Sequence, residues 1–432
     1  MLSKEPLESQ LEREKNPLKR LLMVLGPGLI TGASDDDPSG IGTYTQAGAS
    51  FGFATLWTAL VTLPMMAAVQ FICAKIGMVS GMGLAAVLRK HYASWVVYAA
   101  ISLLVIANTI NAGTDIGAIA AAINLLVPIP ATALVVPIAI GIVAFQILGS
   151  YALISRIFKW LTLTLFAYIA AAFLAKPHWR EVLWATVVPT IHIDHLYLIT
   201  LVAILGTTIS PYLFFWQASQ EVEEEVSMGR ETLAQRKGAT DTEIRMAEID
   251  VDAGMLFASI VFYFVILASA ATLHVAGKTN IQTATEAAEA LKPLSSGLAS
   301  ILFALGLIGS GFLAVPVLTG SSAYAIGEAF GWNCSLDEKF RGAPRFYVII
   351  IASTFVGMLI NFFKIEPVTA LFWTAVINGV LAPPLLVMIM LVSSNQKIMG
   401  DRVNGKLTNF IGWTTAAVMS AAALGMLLTW GK

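Results

Sequence analysis

About eleven segments of the chain are apolar over roughly 20 residues, the length that a helix needs to cross the ~30 Å hydrocarbon core of a bilayer. Because hydrocarbon leaves every backbone polar group to be satisfied within the protein, such a chain crosses a membrane as a bundle of helices. The predicted fold class is therefore an all-α membrane protein. The segments lie at 21–48, 53–76, 94–127, 131–149, 154–175, 196–220, 250–276, 295–330, 345–363, 366–392 and 410–430.

The composition agrees with a membrane protein, since 57% of the 432 residues are apolar and 12% are charged. Soluble domains carry about twice that charged share. The net charge of −1 gives no basic face for nucleic acid, so we expect no nucleic-acid partner. Cys73 and Cys334 are too few for a disulfide framework and have no neighbours at zinc-ligand spacing. We expect no cofactor, no obligate protein partner and no cleaved signal in the polar segment 1–20.

The positions of Lys and Arg predict the orientation of the bundle. With the N-terminus in the cytoplasm and the C-terminus outside, 20 of the 26 basic residues lie on the cytoplasmic side. We expect a multi-pass protein of the plasma membrane. The charged inner segment 221–249 indicates a solvated helix end and linker. The outer segment 177–195 is typical of an interfacial stretch, and His192 and His195, three residues apart within it, lack a further metal ligand.

Two predicted spans contain residues that interrupt a helix. The first holds three consecutive aspartates, Asp35 to Asp37, followed by Pro38, and the sixth holds Ser210 followed by Pro211. A proline supplies no backbone donor and disfavours helical dihedral angles at the residue before it. Lipid-exposed backbone does not tolerate such a break, so both interruptions must face protein or a water-filled cavity.

The positions of these interruptions suggest an inverted repeat. The first ten spans divide into five and five, and the interruptions fall in the first span of each set. This arrangement predicts a leucine-transporter-type architecture, in which the first and sixth helices are unwound at the midplane around the binding site. We predict a cytoplasmic segment at 1–20, repeats at 21–175 and 196–392, and an eleventh helix at 410–430.

The interruptions offer oxygen ligands for a cation. A helix that ends there presents unpaired carbonyl groups with partial negative charge. Asp37 adds a carboxylate, and Ser39, Thr207 and Ser210 add hydroxyl groups, with no Met, Cys or His in either interruption. Oxygen donors favour hard divalent ions, so the sequence predicts a secondary transporter of such ions.

Two further polar positions lie within predicted spans. Asp115 shares one helical face with Asn108, Asn111 and Thr114. This face favours either interhelical hydrogen bonding or an aqueous pathway and proton relay. Asn378 in the tenth span could line the site or serve packing.

The two interrupted segments resemble those of the Nramp (natural resistance-associated macrophage protein) family of metal transporters. Asp-Pro-Ser-Gly at 37–40 stands where the family has Asp-Pro-Gly-Asn, and Ser-Pro-Tyr at 210–212 stands where it has Met-Pro-His. The segment 75–81 is similar to the family's stretch after the second helix, and the resemblance covers nearly the whole chain. It implies metal ligands at Asp37, Gly40, Thr207 (through its backbone carbonyl) and Ser210.

The departures from the family pattern carry information about the substrate. The family's Asn and Met ligands become Gly40 and Ser210, its histidine becomes Tyr212, and the glutamate three residues after the aspartate of the third helix becomes Ala118. Loss of the thioether removes an advantage for softer ions. This combination is similar to the Nramp-related magnesium transporters, a branch reported to carry Mg²⁺ without proton coupling. The resemblance implies Mg²⁺, and also Mn²⁺, as the substrate.

Three alternatives remain at this point. The first is a proton-coupled importer of Mn²⁺ or Fe²⁺ of the ordinary Nramp type. The second is a carrier of an amino acid or organic cation on the same fold, although a substrate carboxylate would meet three aspartates. The third is a metal-dependent membrane enzyme, but no activated nucleophile or nucleotide motif accompanies the aspartates, and we expect no enzymatic activity.

Overall fold

The computed structural model describes residues 26–149, 163–293, 296–336, 338–363 and 365–429, and the regular secondary structure of these residues is entirely helical. Within them, nine helices are long and apolar enough to cross a membrane. The predicted class of an all-α membrane protein is confirmed. The first predicted span forms two shorter helices, and the fifth overlaps the segment 150–162, which lies outside the described residues. The number eleven therefore stays a prediction, as do the proposed repeat boundaries and the N-terminal segment 1–20.

The first interruption separates helices α1 (Pro27–Asp35) and α2 (Pro38–Phe51). Asp36 and Asp37 lie between them, and Asp37 has extended backbone angles, as expected before a proline. Pro38 occupies the first turn of α2, where its missing N–H costs no hydrogen bond. The chain thus starts a new helix directly after the aspartates.

The remaining helices follow in chain order. They are α3 (Trp57–Ser80), α4 (Leu84–His91), α5 (Ser94–Leu126), α6 (Ala131–Leu148), α7 (Ala167–Leu174), α8 (Trp179–Val187), α9 (His195–Thr208), α10 (Pro211–Ser227), α11 (Leu233–Arg236), α12 (Asp241–Ser269), α13 (Ala284–Ala288), α14 (Ser296–Phe330), α15 (Pro344–Met358), α16 (Pro367–Ser393), α17 (Gln396–Met399) and α18 (Lys406–Leu428).

The second interruption separates α9 from α10. Ile209 and Ser210 lie between these helices, and Pro211 opens α10. Ser210 has extended backbone angles (φ −76°, ψ 130°), which again is the conformation that a following proline favours. Both interruptions therefore occur where the sequence predicts them.

Glycines allow the interrupted helices to pack closely against their neighbours. A methyl group on Gly32 of α1 would lie 2.2 Å from the carbonyl oxygen of Gly254 in α12. A methyl group on Gly206 of α9 would lie 2.1 Å from the carbonyl oxygen of Ala375 in α16. No side chain fits at such distances, so the backbones of α1 and α12, and of α9 and α16, are in direct contact.

Two predicted segments differ from expectation in detail. The charged segment after residue 220 begins inside the protein, because Glu221 and Glu225 are 5% and 2% exposed. The seventh span begins at Asp241 rather than near 250, because Thr240 and Glu243 form a capping box that starts α12 earlier.

The outer segment forms the short helix α8, whose Trp184 is 69% exposed, as an interfacial anchor would be.

Candidate metal site

Asp37 is the best-connected carboxylate at the first interruption. Its side chain is buried, and its Oδ1 accepts hydrogen bonds from Ser39 Oγ (2.7 Å) and from the backbone N–H of Gly40 (2.7 Å). Its Oδ2 accepts a hydrogen bond from Asn111 Nδ2 of α5 (3.2 Å). The carboxylate caps the first turn of α2, at the positive end of that helix dipole. These contacts fix Asp37 at the junction of α1, α2 and α5.

Gly40 and Thr207 bring the two interrupted segments together. A methyl group on Gly40 would lie 3.1 Å from Thr207 Oγ1 and 3.2 Å from Cε2 of Tyr44. The Thr207 hydroxyl is buried and interacts with the Tyr44 hydroxyl. Two of the predicted ligand positions, Gly40 and Thr207, thus face each other across the interface of α2 and α9.

Ser210 and Tyr212 contact backbone carbonyls. Ser210 Oγ donates to the carbonyls of Gly206 (2.9 Å) and Thr207 (2.8 Å), which the interruption leaves without helical partners. Tyr212 Oη donates to the carbonyl of Ser34 (2.9 Å) and so ties α10 to α1. Both hydroxyls are therefore engaged, and the Thr207 carbonyl that the family resemblance assigns to the metal accepts the Ser210 hydrogen bond in this conformation.

The other predicted positions lie around this centre. Asp115 is buried and interacts electrostatically with Asp37 and with the backbone N–H of Ser39. Asn378 is buried and neither polar atom of its side chain has a hydrogen-bond partner. Its neighbour Gly379 lies in the close contact between α16 and α9. The structure brings Asp115 to the centre directly and places Asn378 on a helix packed against it.

Asp35, Asp36, His192 and His195 do not form a further metal-binding cluster within the described residues. Asp35 and Asp36 are each 1% exposed, and neither oxygen of Asp36 has a hydrogen-bond partner. Among the described residues, no three His, Cys, Asp or Glu side chains converge as a metal-binding group. His192 packs edge-on against Tyr197, while His195 contacts Thr429. Asp35, Asp36 and Asp115 are thus further buried carboxylates that interact electrostatically with Asp37.

Comparison with known proteins identifies the family. Residues 28–429 match the family described as natural resistance-associated macrophage protein-like. The chain belongs to the Nramp family. It is a multi-pass membrane transporter and not an enzyme, as the sequence predicts.

The fold is similar to those of solved transporters. A manganese transporter of Eremococcus coleocola, in complex with an aromatic bis-isothiourea substituted compound, superposes with a TM-score of 0.75 at 17% identity, over 96% of this chain and 88% of that chain. Mhp1, a nucleobase-cation-symport-1 family transporter, in a closed conformation with bromovinylhydantoin bound, gives a TM-score of 0.57 at 16% identity, over 94% and 92%. Inward-facing Mhp1 gives 0.54 at 16% identity, over 94% and 90%. The predicted leucine-transporter-type fold is confirmed.

Sequence reasoning missed two contacts that hold this Nramp site. Asn111 appeared only as a member of a polar helix face, whereas it donates to Asp37. Asp250 of α12 accepts hydrogen bonds from the backbone N–H groups of Gly26 (2.8 Å), Gly28 (2.6 Å) and Leu29 (3.1 Å) at the start of α1. No local pattern pairs Asp250 with a helix more than 220 residues away, and its only sequence signal is a carboxylate within an apolar helix.

A third missed group is a chain of side chains between α1 and α10. Thr31 Oγ1 donates to Gln217 Oε1, and Gln217 Nε2 donates to Glu221 Oε1 (2.7 Å). All three residues are buried. Together with Asp250, this chain fixes α1 against α10 and α12 on the side away from α2.

Proposed function

We propose that the protein carries a divalent metal ion across the membrane by alternating access, with Asp37 as the principal ligand. The observation that carries the proposal is the buried Asp37 carboxylate at the junction of two interrupted helices, hydrogen-bonded to the Ser39 hydroxyl and the Asn111 amide. A buried oxygen without a hydrogen-bond partner is costly unless water or an ion satisfies it, and Asn111 Oδ1 is such an atom near Asp37. The similar fold of a manganese transporter supports the same class of substrate.

We further propose that Mg²⁺ is the preferred substrate, with Mn²⁺ also carried. Gly40 and Ser210 replace an amide and a thioether of the family pattern, so the site offers hard oxygen ligands and no sulfur. Mg²⁺ sheds its water reluctantly and usually keeps several water ligands. A site with hydroxyl and carbonyl groups suits such a hard, partly hydrated ion better than a site with sulfur.

Transport in this proposal requires no proton. Tyr212, at the position of the family's histidine, is neutral at physiological pH, and Ala118 removes a glutamate from the third helix of the family. A divalent ion that moves alone carries two charges, worth about 4.6 kcal/mol per 100 mV, so a negative interior would drive uptake. We place the protein in the plasma membrane, with the N-terminus in the cytoplasm and the C-terminus outside.

The competing proposal is a proton-coupled Mn²⁺ or Fe²⁺ importer. It is favoured by one observation, the electrostatic interaction of buried Asp115 with Asp37. A carboxylate beside the metal ligand would respond to the arrival of the ion by releasing a proton. A second acid or base within hydrogen-bond reach would be needed to carry that proton onward, and Asp115 has no side-chain partner.

The metal assignment is tested by titrating purified protein with Mg²⁺ and Mn²⁺ in an isothermal calorimeter. Asp37→Asn keeps the size of the side chain but removes its charge, so we expect at least about a 100-fold loss of affinity. Asp401→Asn, at an exposed aspartate, is the matched control and should bind as the wild type does. Wild-type affinity in a monodisperse Asp37→Asn protein would refute the assignment.

A further inference from the structure

Only one of the two polar atoms of the Asn111 side chain has a hydrogen-bond partner. Its Nδ2 donates to Asp37 Oδ2 (3.2 Å), while its Oδ1 is buried without a hydrogen-bond partner. The residue is 0% exposed, so bulk water does not reach it. A buried amide oxygen costs free energy unless it meets a donor or a cation. Both ends of this amide belong to one planar group, so the unpartnered oxygen lies beside the Asp37 carboxylate.

The backbone that carries Asn111 is held in place. Thr114 Oγ1 donates to the Asn111 carbonyl (2.9 Å), one turn along α5. A methyl group on Gly113 would lie 2.1 Å from the carbonyl oxygen of Gly357, so α5 and α15 are in direct backbone contact. Asn361 Nδ2 donates to the Gly113 carbonyl (2.8 Å). A group on so constrained a helix presents its oxygen in a fixed position, as an ion ligand requires.

Asn108, one turn before Asn111, provides a contrast. Its Nδ2 donates to the carbonyl of Leu318 (3.3 Å) and to Ser322 Oγ (3.1 Å), both on α14. The Oδ1 of Asn108 is also buried without a hydrogen-bond partner, but its side chain joins two helices and forms no hydrogen bond to Asp37 in the described structure. The Asn108 amide nitrogen thus connects α5 to α14, whereas the Asn111 amide nitrogen donates to Asp37.

We propose that Asn111 replaces the amide ligand that this site lacks at Gly40, and that its Oδ1 is an oxygen donor toward the partly hydrated divalent ion at Asp37. The family pattern places the amide on the first helix, three residues after the carboxylate. Here that position is Gly40, which has no side chain, and an amide on α5 contacts Asp37 instead. The inference rests on the proposed metal site and adds a ligand and its helix to it.

The test compares three substitutions by Mg²⁺ affinity, measured calorimetrically on purified protein. Asn111→Leu removes both polar atoms at similar volume and should weaken binding by about 10- to 100-fold. Asn111→Asp keeps an oxygen but loses the donor, and should bind within about threefold of the wild type, or more tightly, because a second carboxylate attracts the ion. Asn108→Leu is the matched control and should leave affinity within about threefold of the wild type, since Asn108 bonds only to α14.

The comparison of Asp with Leu distinguishes a ligand from a residue that only positions Asp37. If Asn111 acts solely through its Nδ2, Asn111→Asp should lose as much affinity as Asn111→Leu, because both lack the donor. Equal losses would therefore overturn the proposal. If the Asn111→Leu protein is not monodisperse, Asn111→Ala replaces it in the comparison. The smaller alanine side chain should weaken Mg²⁺ binding to the same extent.

A transplanted amide gives a second test. Gly40→Asn in the Asn111→Leu background should restore Mg²⁺ affinity to within about threefold of the wild type. A Cβ at this position would lie 3.1 Å from Thr207 Oγ1 and 3.2 Å from Cε2 of Tyr44, so these side chains must move by a few tenths of an ångström to admit the Cβ. Gly40→Ala in the same background controls for that adjustment and should restore nothing. The proposal would be contradicted if Gly40→Asn and Gly40→Ala both restored Mg²⁺ affinity, or if neither did.

Failure of this inference is distinguishable from failure of the proposed function. If Asp37→Asn abolishes Mg²⁺ binding but Asn111→Leu does not change it, the transporter proposal stands and Asn111 is not a ligand. Absence of Mg²⁺ and Mn²⁺ binding in the wild type would remove both.

Discussion

Asp250 provides the most quantitative prediction about conformational change. Helix α1 begins at Pro27, and Gly26 before it has no side chain to cap the helix; the Asp250 carboxylate on α12 accepts hydrogen bonds from the N–H groups of Gly26, Gly28 and Leu29 instead. A carboxylate at a helix N-terminus is favoured both by these hydrogen bonds and by the helix dipole. Because α1 leads directly to Asp37, we expect Asp250 to hold that approach to the site closed.

The effect of Asp250→Asn follows from these three contacts. Hydrogen bonds to a charged group contribute roughly 1.5–3 kcal/mol, against 0.5–1.5 kcal/mol for neutral pairs. The amide keeps one acceptor oxygen and turns an NH₂ group toward backbone N–H donors. We therefore expect a loss of about 2 kcal/mol from the closed arrangement of α1, which corresponds to a roughly 30-fold larger open population.

The assay is the rate at which a methanethiosulfonate reagent modifies Ala33→Cys, a buried position near the end of α1. The background replaces the native Cys73 and Cys334. Modification of a buried thiol is proportional to the open population when opening is fast, so Asp250→Asn should raise the rate by about 30-fold. Asp252→Asn, at an exposed position on the same helix, should leave it unchanged.

A modification rate for Asp250→Asn within about twofold of the wild type would refute the reasoning. It would mean that the close glycine contact of α1 with α12, and the Thr31–Gln217 hydrogen bond, hold α1 without the carboxylate.

Two further predictions concern selectivity and protons. Ser210→Met places a thioether where the family has one, so Cd²⁺ and Mn²⁺ should gain affinity relative to Mg²⁺ by about tenfold, measured by calorimetric competition; an unchanged ratio would place selectivity elsewhere. Asp115→Asn removes a buried acid that interacts with Asp37, and Mg²⁺ flux into proteoliposomes should persist at a rate within a few-fold of the wild type. Loss of flux together with loss of intraliposomal acidification would make Asp115 a proton carrier.

The sequence predicts those parts of the site that depend on local chemistry. Pro38 and Pro211 require the residues before them to leave the helical region, and this is enough to locate both interruptions. The burial of Asp37 follows from its place in an apolar span. Fold class and family likewise follow from span length and from these two motifs.

Long-range pairings were beyond the sequence because no periodicity encodes them. Asn111 differs from Asn108 only in which helix lies opposite, and Asp250 differs from other aspartates of α12 only in facing the start of α1. The early start of α12 depends on a capping box outside the apolar span, which a hydropathy window does not detect. Each of these features is decided by tertiary packing rather than by local propensity.

The central claim is that a hard divalent ion crosses alone at the Asp37 site. The most direct measurement is flux of Mg²⁺, Mn²⁺ and Ca²⁺ into proteoliposomes clamped at negative potential, with internal pH recorded by an entrapped dye. We predict that Mg²⁺ and Mn²⁺ enter without a change in internal pH, and that Asp37→Asn abolishes entry. Acidification in proportion to metal influx, or entry of Mn²⁺ with exclusion of Mg²⁺, would contradict the account.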